Sequence, residues 1–302
     1  MDSIDFQNRV AVITGSGAGL GRIYALEFAK RGASVVVNDP GGARDGSGKN
    51  TNAADTVVDE IIAAGGKAIA NYDSVASMEG GKNIVQTALE AFGKVDILIN
   101  NAGIVRDKSI LKLTNDDWDS VLSVHLKGSF CVSQAAFAVM KKNNYGRIVN
   151  TASGSGLYGN FGQANYCAAK MGLVGLMNSI SFEGMKYNIK CNTIAPVAAS
   201  RMTEDVFPPD LAEKLKPEFV APIVLYLASE KNQDTKMIFN CAGGWFSRAE
   251  VVCSPGTNFD ITPETGQQIT PEAIMENWQD ISAIDNAKPM NTLVDTFGYI
   301  FS

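Results

Sequence analysis

Apolar positions along this chain fall into two alternating textures. Short, almost unbroken apolar runs, such as VAVIT at 10–14, SVVVN at 34–38 and VDILIN at 95–100, end at Gly, Asn or Asp. Between them lie longer stretches whose apolar residues recur at helical spacing. An unbroken run predicts a strand buried on both faces; helical spacing predicts a helix laid against the sheet. On this reading strands cover Val10–Thr14, Ser34–Asn38, Ala68–Asn71, Val95–Asn100, Arg147–Thr151 and Ile189–Ala195, with a seventh over Met237–Asn240. Helices cover Leu20–Arg31 and Ala53–Ala64, each stopped by glycine, and Met78–Phe92. Thr114 and Asp117 form a capping-box pattern that opens a long helix toward Lys141, and another long helix runs from Gln163 to about Tyr187.

Strands alternating with helices imply a parallel sheet joined by right-handed crossovers. The expected fold class is α/β, a doubly wound, Rossmann-like sheet of about seven strands. Residues 1–245 make up this domain. Past Trp245 the alternation fades, and residues 246–302 read as a C-terminal extension or linker with one clear helix near Pro271–Asp280. The Gly- and Asn-rich stretch Pro40–Asn52 is a long loop for such a unit. No internal repeat or low-complexity segment interrupts the pattern.

Bulk composition narrows the function classes. A chain of 302 residues, 45% hydrophobic and 19% charged, has material for a sizeable core. A net charge of -6 argues against a nucleic-acid partner or an anionic membrane surface. The cysteines at 131, 167, 191, 241 and 253 show no C-x-x-C spacing, and His125 is the only histidine. Neither a metal site nor a disulfide framework is expected, and reduced intracellular thiols fit. The acidic opening MDSIDF lacks the apolar core of a secretory signal. No apolar run approaches the ~20 residues of a membrane span, so no membrane insertion is expected. Ile300-Phe301-Ser302 is not a peroxisomal address, which leaves a cytoplasmic location open.

The first strand ends in Thr14-Gly15-Ser16-Gly17-Ala18-Gly19-Leu20-Gly21 and runs into a helix. Glycines bring backbone N–H groups close to a diphosphate, and the helix N-terminus adds partial positive charge there. Gly15, Ser16, Gly19, Leu20 and Gly21 are therefore candidate dinucleotide contacts. Asp39 follows the second strand. Its carboxylate suits the adenosine ribose hydroxyls and repels a 2′-phosphate, favouring NAD over NADP. Asp73, after the third strand, is placed for the adenine end. Tyr166 and Lys170 share a helix face one turn apart, with Ser153 thirteen residues earlier. A phenol with a pKa near ~10 is a poor base at neutral pH, and a nearby ammonium is expected to favour its phenolate.

TGSGAGLG at 14–21, NNAG at 100–103, Ser153 and YCAAK at 166–170, in this order and spacing, resemble the short-chain dehydrogenase/reductase family over roughly residues 6–245. The resemblance implies an NAD-dependent enzyme with Ser153, Tyr166 and Lys170 catalytic. It adds Ser74, Asn101, Ala102, Gly103 and Pro196 to the cofactor contacts, with Tyr166 and Lys170 beside the nicotinamide ribose. His125 stands where many members carry Asn, and packing or a proton relay both remain open for it. The family also implies a homodimer.

A closer resemblance, over almost the whole chain, is to the (3R)-hydroxyacyl-CoA dehydrogenase units of type 2 peroxisomal multifunctional enzymes. It is carried by NDPGG at 38–42, NYDSV at 71–75, VHLKGSF at 124–130, LYGNFGQANY at 157–166, CNTIAP at 191–196, SRMT at 200–203 and TPEA at 270–273. It implies an acyl-CoA substrate, fatty-acid β-oxidation, a peroxisomal location and, if the chain is a fragment, downstream hydratase or sterol-carrier units. Val197-Ala198-Ala199 and residues 247–262 depart from that pattern. A 3-oxoacyl-carrier-protein reductase, a 17β-hydroxysteroid dehydrogenase and a non-enzymatic nucleotide-binding scaffold remain the alternatives.

Overall fold

The computed structural model describes residues 3–48, 50–199, 208–259 and 268–300. The SRMT stretch at 200–203, which carries part of the resemblance, lies outside them. The chain divides into two compact units, Met1–Arg248 and Ala249–Ser302.

The first unit is built on eight strands in the order β3-β2-β1-β4-β5-β6-β7-β8, where β1 is Val10–Thr14, β2 Ser34–Asn38, β3 Lys67–Asn71, β4 Ile97–Asn100, β5 Gly146–Thr151, β6 Ile189–Val197, β7 Ile238–Ala242 and β8 Trp245–Ala249. Every pairing from β3 through to β7 is parallel. The helices include α1 (Gly19–Lys30), α2 (Asn52–Ala63), α3 (Met78–Phe92), α4 (Asn115–Leu122), α5 (Gly128–Asn143), α6 (Gly154–Tyr158), α7 (Ala164–Gly184), α8 (Pro209–Lys214) and α9 (Ala221–Ala228).

Strand side chains alternate between the two faces of the sheet. Ala11, Ile13, Val35, Val37, Ile97, Ile99, Val149 and Ile194 share one face and bury against Tyr24 and Phe28 of α1, Val57 and Ile61 of α2, and Val224 and Leu225 of α9. Val12, Val36, Leu98 and Ile148 are as fully buried on the other face, the side of α3, α5 and α7. The strands therefore read as unbroken apolar runs because both faces are covered.

Three departures from the sequence reading have local causes. The sheet has eight strands, not about seven, because Gly243 and Gly244, both at positive φ, turn the chain from β7 into β8. The long helix opened by Thr114 is not continuous. Its capping box forms as expected, but five residues, Ser123–Lys127, adopt a π-helical turn between α4 and α5, and His125 sits on that turn. Helical spacing of apolar residues cannot distinguish one wide turn from an ordinary one. The helix ending near Tyr187 closes its α-helical part at Gly184 and continues as a 3-10 turn over Met185–Tyr187.

Residues 249–302 carry more structure than the single helix expected. They hold β9 (Val252–Cys253) antiparallel to β10 (Lys288–Pro289), and helices α10 (Pro271–Glu276), α11 (Trp278–Ser282) and α12 (Phe297–Ile300). The Thr270 hydroxyl caps α10 by accepting from the Ala273 N–H at 3.2 Å. No helix among the described residues is long and apolar enough to cross a membrane, and no group of metal-ligating side chains occurs among them.

Candidate active site

Strand order reverses between β1 and β4, the crevice where open α/β sheets bind ligands. The candidate catalytic and cofactor residues lie at or just beyond the C-terminal ends of β1 to β6. A separate cavity of about 380 Å³, lined by Arg9, Lys94, Tyr145 and Glu230, opens at the opposite ends of the strands and belongs to none of this chemistry.

Gly15 and Gly19 adopt φ values of +64° and +54°, which carry β1 into α1 in a tight turn. The Ser16 hydroxyl faces inward, donating to the Ile13 carbonyl at 2.7 Å, and Leu20 packs on the core. The Ser16 N–H donates to the Asn38 carbonyl at 3.0 Å, so the buried Ser16 shapes the turn and leaves neither its hydroxyl nor its N–H to a ligand. The N-cap of α1 is Ala18, with no side-chain cap, so its first N–H groups are left to a ligand. Asp39 reaches back into this turn. One carboxylate oxygen accepts from the Gly17 N–H at 2.9 Å and the other from the Gly41 N–H at 2.7 Å. A Cβ on Gly17 would stand 2.9 Å from that carboxylate and 2.8 Å from the Ala53 Cβ, so only glycine lets the acid lie along the loop. An uncapped helix start beside an anchored carboxylate fits a diphosphate and a ribose diol.

Asp73 is half-buried: its carboxylate accepts from the Asn71 amide at 2.9 Å and the Asn83 amide at 3.1 Å, while Ser74 is exposed beside it. NNAG closes the floor of the crevice. Thr14 Oγ1 accepts from the N–H groups of Asn101 (3.0 Å) and Ala102 (3.1 Å), and the Asn101 amide donates to the carbonyls of Thr14 and Gly15, each at 3.0 Å. Sequence reasoning gave Thr14 no role; its place directly before the first glycine of the turn was the available signal. Pro196 lies near the end of β6, opposite Cys241 of β7.

Ser153 is the N-cap of α6, its Oγ accepting from the Ser155 N–H at 3.2 Å, and its side chain acts on the Tyr166 phenol. Lys170 is buried beneath, its ammonium donating to the Thr151 carbonyl. Burial pushes the Tyr166 phenol up to about 12, against the lowering effect of the Ser153 side chain; Asp107 and Cys167 push it further up. Burial likewise pushes Lys170 down to about 7. The expected acidification of the phenol by Lys170 is thus not among the influences on Tyr166. Removing both groups from water favours their neutral forms.

His125 is drawn into this site from the π-turn. Its ring meets the Tyr166 ring edge-on, 5.2 Å between centres and 86° between planes. Nε2 lies 2.8 Å from the Ile104 carbonyl and 3.1 Å from the Ile104 N–H, so either tautomer keeps a bond; Nδ1 is buried without a partner. Burial, then the Lys170 charge, hold this imidazole well below its usual pKa. Its backbone carbonyl accepts from the Ser129 hydroxyl at 2.7 Å. A Cβ on Gly103 would fall 2.3 Å from the ring Cε1. His125 fills the space that Gly103 leaves beside the Tyr166 ring.

Comparison with known proteins agrees with this geometry. The family pattern described as short chain dehydrogenase matches residues 9–209. The chain is 52% identical over 295 residues to the peroxisomal multifunctional enzyme type 2 of Mus musculus, covering 98% of this chain but 39% of that protein. The structure of the full-length peroxisomal multifunctional enzyme type 2 from Drosophila melanogaster aligns with TM-score 0.82 and 42% identity, over 98% of this chain and 49% of that one. A 7α-hydroxysteroid dehydrogenase complexed with NADH and 7-oxo glycochenodeoxycholic acid aligns with TM-score 0.72 and 30% identity, over 80% of this chain and 95% of that one. The chain thus spans 39% and 49% of these two multifunctional relatives while matching nearly all of itself to them. A nicotinamide dinucleotide accords with the glycine turn, the uncapped helix and the anchored Asp39, and the chain belongs to the short-chain dehydrogenase family.

Proposed function

We propose that this chain oxidises a (3R)-3-hydroxyacyl-CoA to the 3-ketoacyl-CoA with NAD, as the dehydrogenase unit of a longer peroxisomal β-oxidation enzyme. The observation that carries the reading is the Tyr166 phenol, within the influence of the Ser153 side chain, one helical turn from buried Lys170 and at the same end of the sheet as the Asp39-closed turn. The 52% identity to the mouse enzyme supports the choice of substrate.

Removing two electrons from a secondary alcohol requires one group to take the hydroxyl proton and another to take the hydride. The bound dinucleotide supplies the hydride acceptor. Ser153 holds the substrate oxygen by a hydrogen bond, and the Tyr166 oxygen takes its proton as the carbon–oxygen double bond forms. Lys170, one turn along α7 and bonded to the Thr151 carbonyl, would hold the nicotinamide ribose. The Asp39 carboxylate at the end of β2 favours NAD, because a 2′-phosphate would meet a like charge there.

Exposed Trp118 of α4, Phe130 of α5, and Met171 and Phe182 of α7 leave apolar surface on these helices. That surface supports a homodimer.

The test is a reduced-nicotinamide absorbance assay with NAD or NADP against (3R)- and (3S)-hydroxyacyl-CoA and a hydroxysteroid. Turnover of the R thioester with NAD is expected. Turnover of the steroid alone would replace the substrate assignment, and a preference for NADP would remove the role given to Asp39.

A further inference from the structure

We propose that Asn165 is a positioning residue for the Tyr166 phenol; the inference rests on the Ser153, Tyr166 and Lys170 chemistry proposed above. Asn165 is fully buried in the first turn of α7. Its Nδ2 donates to the carbonyls of Arg106 at 3.2 Å and Asp117 at 3.0 Å, and its Oδ1 accepts from the Tyr166 N–H at 2.8 Å. The orientation of this amide is forced, because carbonyls only accept and the backbone N–H only donates. One side chain thereby joins the segment after β4, the first turn of α4 and the first turn of α7.

The three segments are themselves anchored. The Asp117 carboxylate closes the capping box with Thr114 and pairs with Lys108 at 2.6 Å. The Val105 N–H donates to the Arg44 carbonyl at 2.9 Å, and the Arg106 guanidinium donates to the Asp45 carbonyl at 2.9 Å. Arg44 and Asp45 belong to the long loop that begins at Asp39. A continuous set of bonds therefore runs from the loop carrying the cofactor's acid, through Arg106 and Asn165, to the backbone of Tyr166.

Helix position explains why such an anchor is needed. Tyr166 lies in the first turn of α7, where N–H groups lack intrahelical acceptors and the helix frays. Lys170 lies one turn deeper and is buried. Fraying would carry Tyr166 away from Ser153 while leaving Lys170 in place. The Asn165 Oδ1 supplies the acceptor that the Tyr166 N–H lacks, and the two carbonyl bonds hold that turn against the walls of the site.

The test uses the full chain with Asn165→Ala, which loses all three bonds, and Asn165→Ser, whose shorter hydroxyl cannot span both carbonyls. NADH fluorescence titration counts intact cofactor sites, and turnover of the R thioester is expressed per site across a pH series. The expected result is a kcat per site lower by roughly 10- to 100-fold, with KM for NAD within about 3-fold, since misplacing a reacting group by an ångström has that cost. The acid limb of the kcat profile is expected to shift as well, a readout that simple loss of folded protein leaves unchanged. A kcat per site within about 2-fold of the parent in Asn165→Ser overturns the proposal. So does an Asn165→Ser protein that binds no NADH, because the residue would then hold the fold and not the phenol. Tyr166→Phe separates the two levels. If it turns over at the parent rate, the underlying chemistry is wrong; if it is inactive while Asn165→Ser is fully active, only this inference falls.

Discussion

The Lys170 ammonium nitrogen stands 5.4 Å from the centre of the Tyr166 ring, and burial drives both groups toward their uncharged forms, the phenol up to about 12 and the amine down to about 7. A phenol this weakly acidic is mostly protonated at neutral pH, so its fraction of phenolate rises with pH. The rate of alcohol oxidation is therefore expected to climb between about pH 7 and 9, approaching tenfold per unit where the phenolate limits. Initial rates at saturating NAD across that range test this, and a flat profile would count against Tyr166 as the proton acceptor. Tyr166→Phe is expected to lower kcat by roughly 10²- to 10⁴-fold while NADH binding persists.

Asp39 holds the glycine turn by its bond to the Gly17 N–H and presents its carboxylate where the ribose is expected. Replacing it with Ala removes charge-assisted hydrogen bonds worth about 1.5–3 kcal/mol each, so kcat/KM for NAD should fall roughly 10- to 100-fold. The ratio of NADP to NAD activity should rise at the same time. Steady-state kinetics with both cofactors measure it; an unchanged ratio would show that the acid does not select between them.

Gly103 and His125 compete for one volume. With a Cβ at 103 only 2.3 Å from the imidazole Cε1, Gly103→Ala must displace the ring or the NNAG backbone. Overpacking of this kind costs about 1–3 kcal/mol of stability. Pairing the change with His125→Ala vacates the space, so the double variant should unfold at a higher denaturant concentration than additivity of the two single changes predicts. Strict additivity in a urea titration would mean the two side chains are not coupled.

His125 also gives the fold a pH limit. Its pKa is depressed in the folded protein, by burial first and then by Lys170, while the unfolded chain keeps the ordinary value near ~6.5. Below that value the unfolded chain binds a proton that the native one does not. The associated stability is fully present above about pH 6.5 and is lost as pH falls, by up to about 1.4 kcal/mol per unit. His125→Asn, which does not titrate, should show a shallower decline between about pH 6.5 and 5 in thermal melts. Parallel curves for the two proteins would place the acid sensitivity elsewhere.

The apolar surface on α4, α5 and α7 should be covered in solution. Sedimentation at micromolar concentration is expected to give a dimer, and charged substitutions at Phe130 and Phe182, 42% and 44% exposed, should shift it toward monomer. A parent protein that sediments only as monomer would contradict this.

Much of the architecture was legible along the chain, for a physical reason. A strand covered on both faces must be apolar throughout, so β1 and β2 could be read with their ends, and α3 showed itself by its period between Ser77 and Gly93. The glycine turn, Asp39, Ser153 and the Tyr166–Lys170 pair were equally local: fixed offsets on a strand end or a helix face. Tertiary structure decided what depends on partners distant in sequence. It alone shows His125 filling the space left by Gly103, because a π-turn has no periodicity of its own and the glycine lies 22 residues away. It alone gives Asn165 its carbonyls on Arg106 and Asp117, and Thr14 its hold on NNAG. It also works against the expected charges of the phenol–amine pair, because burial favours the neutral form of each. Sequence spacing brings opposite charges within reach, but burial, a property of the whole packed site, sets the protonation state that each can hold.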